Sequence, residues 1–404
     1  MEKIHVGDFI IGEEEKEAIN NVLESGRISE GPCVNEFEKK WAEFIGTKYC
    51  VLFNSGTSAM VAGLTALKHY KNIKDNSKVI TSPLTYISTV NSIVASNLKP
   101  VFVDVDKETF GITPENIKTF LESVENPDEY SIILPVHLMG YPCDMDKINK
   151  IAKDYGLITF EDSAQAHGSI CNSKKTGSLS LLSDFSFYIA HNIQAGEMGA
   201  ITTDDKEIKR LVKKIKANGR MCDCEICKRA EGLCPRISAY KGDDDFDPRF
   251  THDIIGYNFK AMEFQAALAL VQLKKADYII KKRQENVKYL NEGLKDFSDI
   301  IQLPVYSEKV SYLAYPIVVK EPNKITRKKL RFELEKRNIE TRPLFGCIPT
   351  QQPAYSHLKD VYKDKLPNAD FLGLNAFYIG CHQYLTQEQL DYVIKCFGEI
   401  LSGV

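Results

Sequence analysis

Four stretches of this chain place reactive or ligand-holding side chains at usable spacings. "NSGTSAM" (54–60) sets Gly56, Thr57 and Ser58 between a β-rich run and a helical one. A glycine there lets the backbone come close to a ligand, and a helix N-terminus presents free N–H groups and a favourable dipole, which suits a phosphate. The same residues also make a plain helix cap. "ITFEDSAQAHG" ends a strand-like run on Asp162, with Gln165 and His167 close behind. A carboxylate there either caps the next turn or pairs with a protonated ring nitrogen, and His167 reads as a hydrogen-bonded core or rim histidine. "DFSFYIAHNIQAGEMGA" (184–200) carries Ser186 and His191. An imidazole of ordinary pKa, about 6.5, accepts protons well at neutral pH. It cannot form an imine with an aldehyde as a lysine does, and no lysine lies between Lys175 and Lys206. The fourth stretch, "NGRMCDCEICKRAEGLCPRI", packs Cys222, Cys224, Cys227 and Cys234 into a C-x-C-x2-C-x6-C pattern. Thiols that dense in a reducing compartment point to zinc or an iron–sulfur cluster.

Those residues need a scaffold, and 404 residues that are 43% apolar and 26% charged can build a large buried core, split into two domains. A formal charge of −3 gives no global field toward nucleic acid or an anionic membrane. The basic run "KEIKRLVKKIK" (206–216) reads as the wet face of a helix, since Ile208, Leu211, Val212 and Ile215 recur at helical spacing between its lysines. The N-terminus turns acidic before an apolar run develops, and no segment reaches the roughly 18 apolar residues of a membrane helix. A cytoplasmic protein is expected, with its eleven cysteines as reduced thiols or metal ligands. The scattered Cys33, Cys50, Cys143, Cys171, Cys347, Cys381 and Cys396 read as small buried or partly buried residues.

Over the first 250 residues, short β-rich runs alternate with helical periodicity. "YCVLF" precedes a helix from about Thr57 to His69, "SKVITS" precedes one near 85–96, "KPVFVDVD" follows it, and "YSIILPV" leads through "CDMDKINKIAKDYG" into "LITFEDS". Such alternation predicts an α/β fold with a mostly parallel sheet, whose ligands bind beyond the carboxyl ends of the strands. A Cys- and Asp-rich loop (220–253) closes a large cofactor-binding domain, 1–255. The remainder, 256–404, starts with one long helical run from "AMEFQAALALVQL" to "LNEGLKDF". It continues as a smaller α+β domain ending in a helix whose Thr386 and Gln389 have capping-box spacing.

Taken in order, the phosphate cup, Tyr86 in "SPLTYISTVN", Asp162 after its strand and "SFYIAHN" resemble the DegT/StrS family of sugar-nucleotide aminotransferases. The resemblance extends from "SGRISEGPCVNEFEKKWAEFIG" through "LPVHLMGYPCDMDKI" to "GYNFKAMEFQAALALVQL". It implies a fold-type I pyridoxal-phosphate enzyme in which Gly56, Thr57 and Ser186 bind the cofactor phosphate. Tyr86 would stack on the pyridine, Asp162 would hold its nitrogen's proton, and Gln165 would lie against the ring or its phenolic oxygen. Asn258 would reach the neighbouring subunit's phosphate in a homodimer with shared active sites. Most of that family carries lysine where this chain has His191. The exception is a branch of 4-keto-6-deoxyhexose 3-dehydratases that use the pyridoxamine form, in which a histidine here serves as the base. One group within that branch carries a [2Fe–2S] cluster fed by a reductase, on three cysteines of the matching loop and one far upstream. Ala164 occupies that upstream place here, and Cys227 is an additional local thiol.

The expected function is therefore C3 deoxygenation of a nucleotide-linked 4-keto-6-deoxyhexose on the way to a dideoxysugar of surface polysaccharide. His191 is the base. Cys222, Cys224, Cys227 and Cys234 are candidate ligands of an iron–sulfur cluster, with zinc as the alternative. The competing readings are a sugar-nucleotide aminotransferase and a non-catalytic cofactor-binding relative. Arg220, Arg229, Arg236 and Arg342 are candidates for the substrate's diphosphate.

Overall fold

The structure is a computed structural model that describes residues 2–222, 224, 232, 234–242 and 245–404. The chain opens with helices α1 (Glu13–Ser25) and α2 (Pro32–Ile45). Strand and helix then alternate as β1 (Tyr49–Phe53), α3 (Gly56–Lys71), β2 (Lys78–Thr81), α4 (Ile87–Ala95), β3 (Lys99–Phe102), α5 (Pro114–Ser123), β4 (Tyr130–Leu134), α6 (Met145–Asp154) and β5 (Ile158–Asp162). A short ribbon, β6 (Ile170–Cys171) and β7 (Lys174–Lys175), leads to β8 (Leu182–Ser186), β9 (Gly199–Thr203) and α7 (Lys206–Ile215). After the one-turn α8 (Pro235–Ala239) come α9 (Glu263–Lys274), α10 (Ala276–Leu294), β10 (Ile301–Gln302), β11 (Tyr315–Val319), α11 (Arg327–Glu335) and β12 (Arg342–Pro343). The chain finishes with α12 (Ile348–Gln351), α13 (Lys359–Tyr362), α14 (Pro367–Asn375), β13 (Ala376–Ile379) and α15 (Gln387–Leu401).

The large sheet has the order β1-β9-β8-β5-β4-β2-β3. β8, β5, β4, β2 and β3 run parallel, and β9 lies antiparallel to both β8 and β1. β1, β5 and β8 therefore end at the same edge, where loops carry side chains into the solvent-facing crevice. Strands covered on both faces read as near-continuous apolar runs, and Val51, Leu52, Phe53, Ile132, Ile133 and Leu134 are all fully buried. The second sheet, β10-β11-β13-β12, is antiparallel. The capping box at its following helix is formed: Gln389 N donates to Thr386 Oγ1 at 3.2 Å and Thr386 N to Gln389 Oε1 at 3.0 Å.

Two expectations need correction. The lysines of 206–216 are not all wet: Lys214 and Lys216 are 5% and 4% exposed, although Ile208, Leu211, Val212 and Ile215 do face inward as their spacing requires. Lys216 is tolerated inside because its ammonium donates to Glu30 at 2.5 Å, to Glu38 at 3.5 Å and to the Leu52 carbonyl at 3.0 Å. The long helical run after Ala261 is also two helices. The chain leaves helical dihedrals at Lys275 (φ −96°, ψ 2°), whose ammonium is held by Glu14 at 2.7 Å and the buried Glu15 at 2.9 Å.

One tertiary contact ties the start of the chain to α9. Glu263, buried at the first turn of α9, accepts hydrogen bonds from the N–H groups of Gly31 (2.7 Å), Cys33 (2.8 Å) and Val34 (3.0 Å). It caps α2 from 230 residues away in sequence, where Gly31 offers no side chain of its own to do so. Replacing Glu263 by Ala strands three donors in a dry place, so Glu263→Ala should lower the unfolding free energy by about 2 kcal/mol. Urea unfolding followed by circular dichroism measures this, and a change within experimental error would refute the long-range cap.

Candidate active site

At the carboxyl edge of the large sheet lies a cavity of about 580 Å³. Its floor begins with the turn from β1 into α3. Ser55 caps the helix, its Oγ accepting from Ser58 N at 3.1 Å. The N–H groups of Gly56 and Thr57 come too early in the helix to find a carbonyl four residues back and stay available at its positive end. This cup requires glycine. A Cβ at Gly56 would sit 2.6 Å from Ser186 Cβ, and one at Gly199 would sit 2.2 Å from the Ser55 carbonyl oxygen. The two absent side chains let α3, β8 and β9 close around one small volume, with the Ser186 hydroxyl on its rim.

Asp162 ends β5 and is pinned on both sides: its N–H donates to the Pro135 carbonyl at 2.9 Å, and its own carbonyl accepts from His137 N at 3.0 Å. Its carboxylate, 5% exposed, accepts from Thr89 Oγ1 at 2.8 Å and from Ala164 N at 3.2 Å. Burial raises its pKa above the usual carboxylate value, and the Thr89 and Ala164 hydrogen bonds pull it back. A carboxylate has about four acceptor sites, so Asp162 keeps capacity for a cationic donor from the cavity. Gln165 spends its Oε1 on Met139 N at 3.0 Å, leaving its amide N–H groups for an acceptor in the cavity. At the mouth, the exposed ring of Tyr86 meets Phe345 edge-on at 5.7 Å between centroids.

The His191 loop leaves and rejoins the sheet at Phe187, whose N–H donates to the Met198 carbonyl while its own carbonyl accepts from Ala195 N, both at 2.8 Å. Two neighbours of His191 anchor the loop elsewhere. Asn192 donates to Ser311 Oγ at 2.6 Å and Gln194 to the Asp8 carbonyl at 2.8 Å. His191 is thereby held on the cavity wall, with its ring 5.9 Å from that of His167 and 6.1 Å from that of Tyr188. Its Nδ1 is buried with no hydrogen-bond partner among the described residues. Burial lowers its pKa to about 4, which leaves a neutral ring, an acceptor, at pH 7. His167 is fully inside, its Nδ1 accepting from Ile193 N at 3.3 Å, as expected of a core histidine.

The cavity gathers Gly56, Thr57, Tyr86, Asp162, Gln165, Ser186 and His191, which are separate motifs in the sequence. Asn258 is exposed and does not line the cavity of its own chain. Of the arginines, Arg342 lines the mouth, steadied by Glu340 at 3.0 Å, while Arg236 is exposed and donates to the Met221 carbonyl; Arg229 lies outside the described residues. Sequence reasoning missed Thr89, Asp184 and the Asn192–Ser311 tether. Asp184 carried a signal, a carboxylate two residues before Ser186 and so on the same strand face. Cys222 and Cys234 are partly exposed and Cys224 is exposed, and Cys227 lies outside the described residues. Among the described residues no three His, Cys, Asp or Glu side chains converge as metal ligands do. No helix among the described residues is long and apolar enough to cross a membrane.

Comparison with known proteins gives the family and the fold. The family model described as the DegT/DnrJ/EryC1/StrS aminotransferase family matches residues 10–398. A dTDP-4-dehydro-2,6-dideoxy-D-glucose 3-dehydratase of Saccharopolyspora spinosa is 32% identical, over 97% of this chain and 85% of its own. Among solved structures, an aminotransferase of Helicobacter pylori involved in the biosynthesis of pseudoaminic acid superposes with a TM-score of 0.86, at 25% identity and with both chains fully covered. The Escherichia coli GDP-4-keto-6-deoxy-D-mannose-3-dehydratase with bound hydrated pyridoxal phosphate superposes at 0.84, with 28% identity over 98% of this chain and 99% of that one. Both share the fold-type I architecture described above.

The half-buried imidazole makes a checkable statement. In cofactor-free protein, an NMR titration should show His191 neutral from pH 8 down past pH 6, with its midpoint near 4. Because the folded pKa is depressed below that of a free histidine, the unfolded chain takes up this proton first. His191 then costs stability as pH falls below about 6.5. A midpoint at or above the free-histidine value would contradict the geometry.

Proposed function

The chain belongs to the DegT/DnrJ/EryC1/StrS aminotransferase family, and we propose that within it the protein is a pyridoxamine- or pyridoxal-phosphate-dependent 3-dehydratase of a nucleotide-linked 4-keto-6-deoxyhexose. The observation that carries this reading is His191, on the cavity wall where a covalent anchor would be needed, with no lysine among the described residues lining that cavity.

The cavity suits such a cofactor. The Gly56 and Thr57 N–H groups and the Ser186 hydroxyl form a cup for a phosphate that a Cβ at Gly56 would fill. Asp162, a buried carboxylate with unused acceptor capacity, matches a protonated pyridine nitrogen, and Tyr86 and Gln165 supply a ring contact and an amide donor. When bound, the cofactor supplies an electron sink that lets a bond beside the sugar's former carbonyl break. The protein's part is to hold and to move protons. Asp162 keeps the pyridine nitrogen charged, which strengthens that sink. Neutral His191 would accept a proton and cannot capture an aldehyde, so the amine needed for the sugar would stay free. Arg342 at the mouth is placed for the anionic diphosphate of a nucleotide sugar. Such a product belongs to dideoxysugar synthesis for surface polysaccharide. The family also implies a homodimer in which Asn258 serves the neighbouring cavity.

The aminotransferase reading is separated by product mass: loss of the C3 oxygen marks dehydration, and gain of an amino group marks transfer. His191→Asn should lower deoxygenation by at least about a hundredfold, the usual worth of a general base. His191→Lys should bond pyridoxal phosphate covalently, absorb in the visible and cease deoxygenation. A His191→Lys enzyme that dehydrates at the wild-type rate would overturn the proposal. A protein that binds pyridoxal phosphate yet turns over no ketosugar would be the non-catalytic relative.

The cysteine loop has a redox reading that rests on its spacing and on the resemblance to the cluster-bearing 3-dehydratases: Cys222, Cys224, Cys227 and Cys234 would hold an iron–sulfur cluster that receives electrons from a reductase. No step above depends on it. The reading expects brown, iron-containing protein after purification without oxygen, bleached by Cys234→Ser. Colourless, iron-free protein would leave zinc or an unliganded loop, and glutamate-type transamination as the amine source.

A further inference from the structure

Asp184 has no part in the reaction above, yet it is the most deeply placed ionisable group on the cavity wall, 1% exposed. It stands two residues before Ser186 on β8, so both side chains project from the same face of the strand, while Phe185 between them is fully buried on the other side. β5 pairs with β8 in parallel, and the register sets Asp162 opposite Asp184. Two carboxyls thus lie side by side on neighbouring strands, whose spacing is about 4.8 Å.

Their surroundings differ. Asp162 accepts from Thr89 Oγ1 and Ala164 N, whereas Asp184 Oδ1 is buried and meets no donor among the described residues. Few other ionisable groups reach them. On β9 the residue opposite Asp184 is Ile201, and the part of α3 that reaches the cavity, Gly56–Met60, carries none. His137, a basic group that acts on Asp162, is held by Glu161 at 3.0 Å. Two buried carboxylates this close do not both ionise, and the one with more hydrogen-bond donors keeps the charge. Burial first, then the charge of Asp162, pushes Asp184 well above the ordinary carboxylate range.

We propose that Asp184 is a positioning residue, a protonated carboxyl that shares the floor with ionised Asp162, so that this wall presents one negative charge, located at Asp162, with one proton held beside it. The carboxyl pair stands on the strand register. Its effect on a pyridine nitrogen rests on the cofactor reading given under Proposed function. Through the pair, Asp184 sets how strongly Asp162 holds its charge and so how firmly a ring proton is kept.

Infrared difference spectroscopy on cofactor-free protein tests the pair directly. At pH 7 the wild type should show the C=O stretch of a buried protonated carboxyl, and Asp184→Asn should lack it. In Asp162→Asn the band should disappear at a lower pH than in the wild type, because the neighbouring charge that hinders ionisation of Asp184 is gone. A role in packing alone would not move that midpoint. An absent band in the wild type, or an unmoved midpoint in Asp162→Asn, would overturn the inference; the wild-type band needs no variant to fold. Titration with pyridoxal phosphate, followed by absorbance, separates the two claims. Asp162→Asn should bind at least about tenfold more weakly, the worth of one charge-assisted hydrogen bond. An acid band together with no binding by the wild type would sustain the carboxyl pair and remove the cofactor reading.

Discussion

The parallel pairing of β5 with β8 is the contact on which the site depends. It sets Asp162 against Asp184, and by ending β8 at Ser186 it delivers a hydroxyl to the one place where α3 can approach without a side chain, at Gly56. Slip β8 by one residue and Phe185, now packed inside against Trp41, would turn toward the cavity while Asp184 and Ser186 turned toward apolar core. Pairing of β9 on the outer side of β8 adds the second close approach, Gly199 against Ser55. The glycine cup and the acid floor are therefore one construction, made by three strands and a helix end.

Chemistry is added to this rigid edge by a loop whose freedom has been removed. Phe187 closes the loop on itself, and Asn192 and Gln194 fasten it to Ser311 and Asp8, segments far away in the chain. The desolvation that lowers the proton affinity of His191 comes from that tethering, since an imidazole on an untied loop would turn to water. A ring kept neutral can take a proton but cannot anchor an aldehyde. The same dry surroundings that make Asp184 hold its proton thus make His191 give its proton up, because burial disfavours the charged form of each.

Much of this was legible in one dimension. Apolar β-rich runs separated by helical periodicity report the parallel sheet, since doubly covered strands must be apolar throughout, and the strands and helices quoted from sequence fall where the fold has them. The basic run 206–216 was legible only by half. Periodicity shows which faces are apolar, but a lysine's long stem hides whether Glu30 and Glu38 wait for it inside. The break at Lys275 was silent for the same reason, being tied to Glu14 and Glu15, some 260 residues earlier.

The sequence alone determined the chemical vocabulary of the site: a glycine and hydroxyls at a helix start, an acid after a strand, and an imidazole where no lysine is near. These are local matters of residue type and of the strand and helix periods. Only the tertiary structure decided which of those groups share a cavity, that Asp184 stands beside Asp162, and that Glu263 caps α2. Each of these is set by burial and by hydrogen-bond partners distant in the chain, and desolvation acts through whatever packs nearby in space, whatever its distance in sequence.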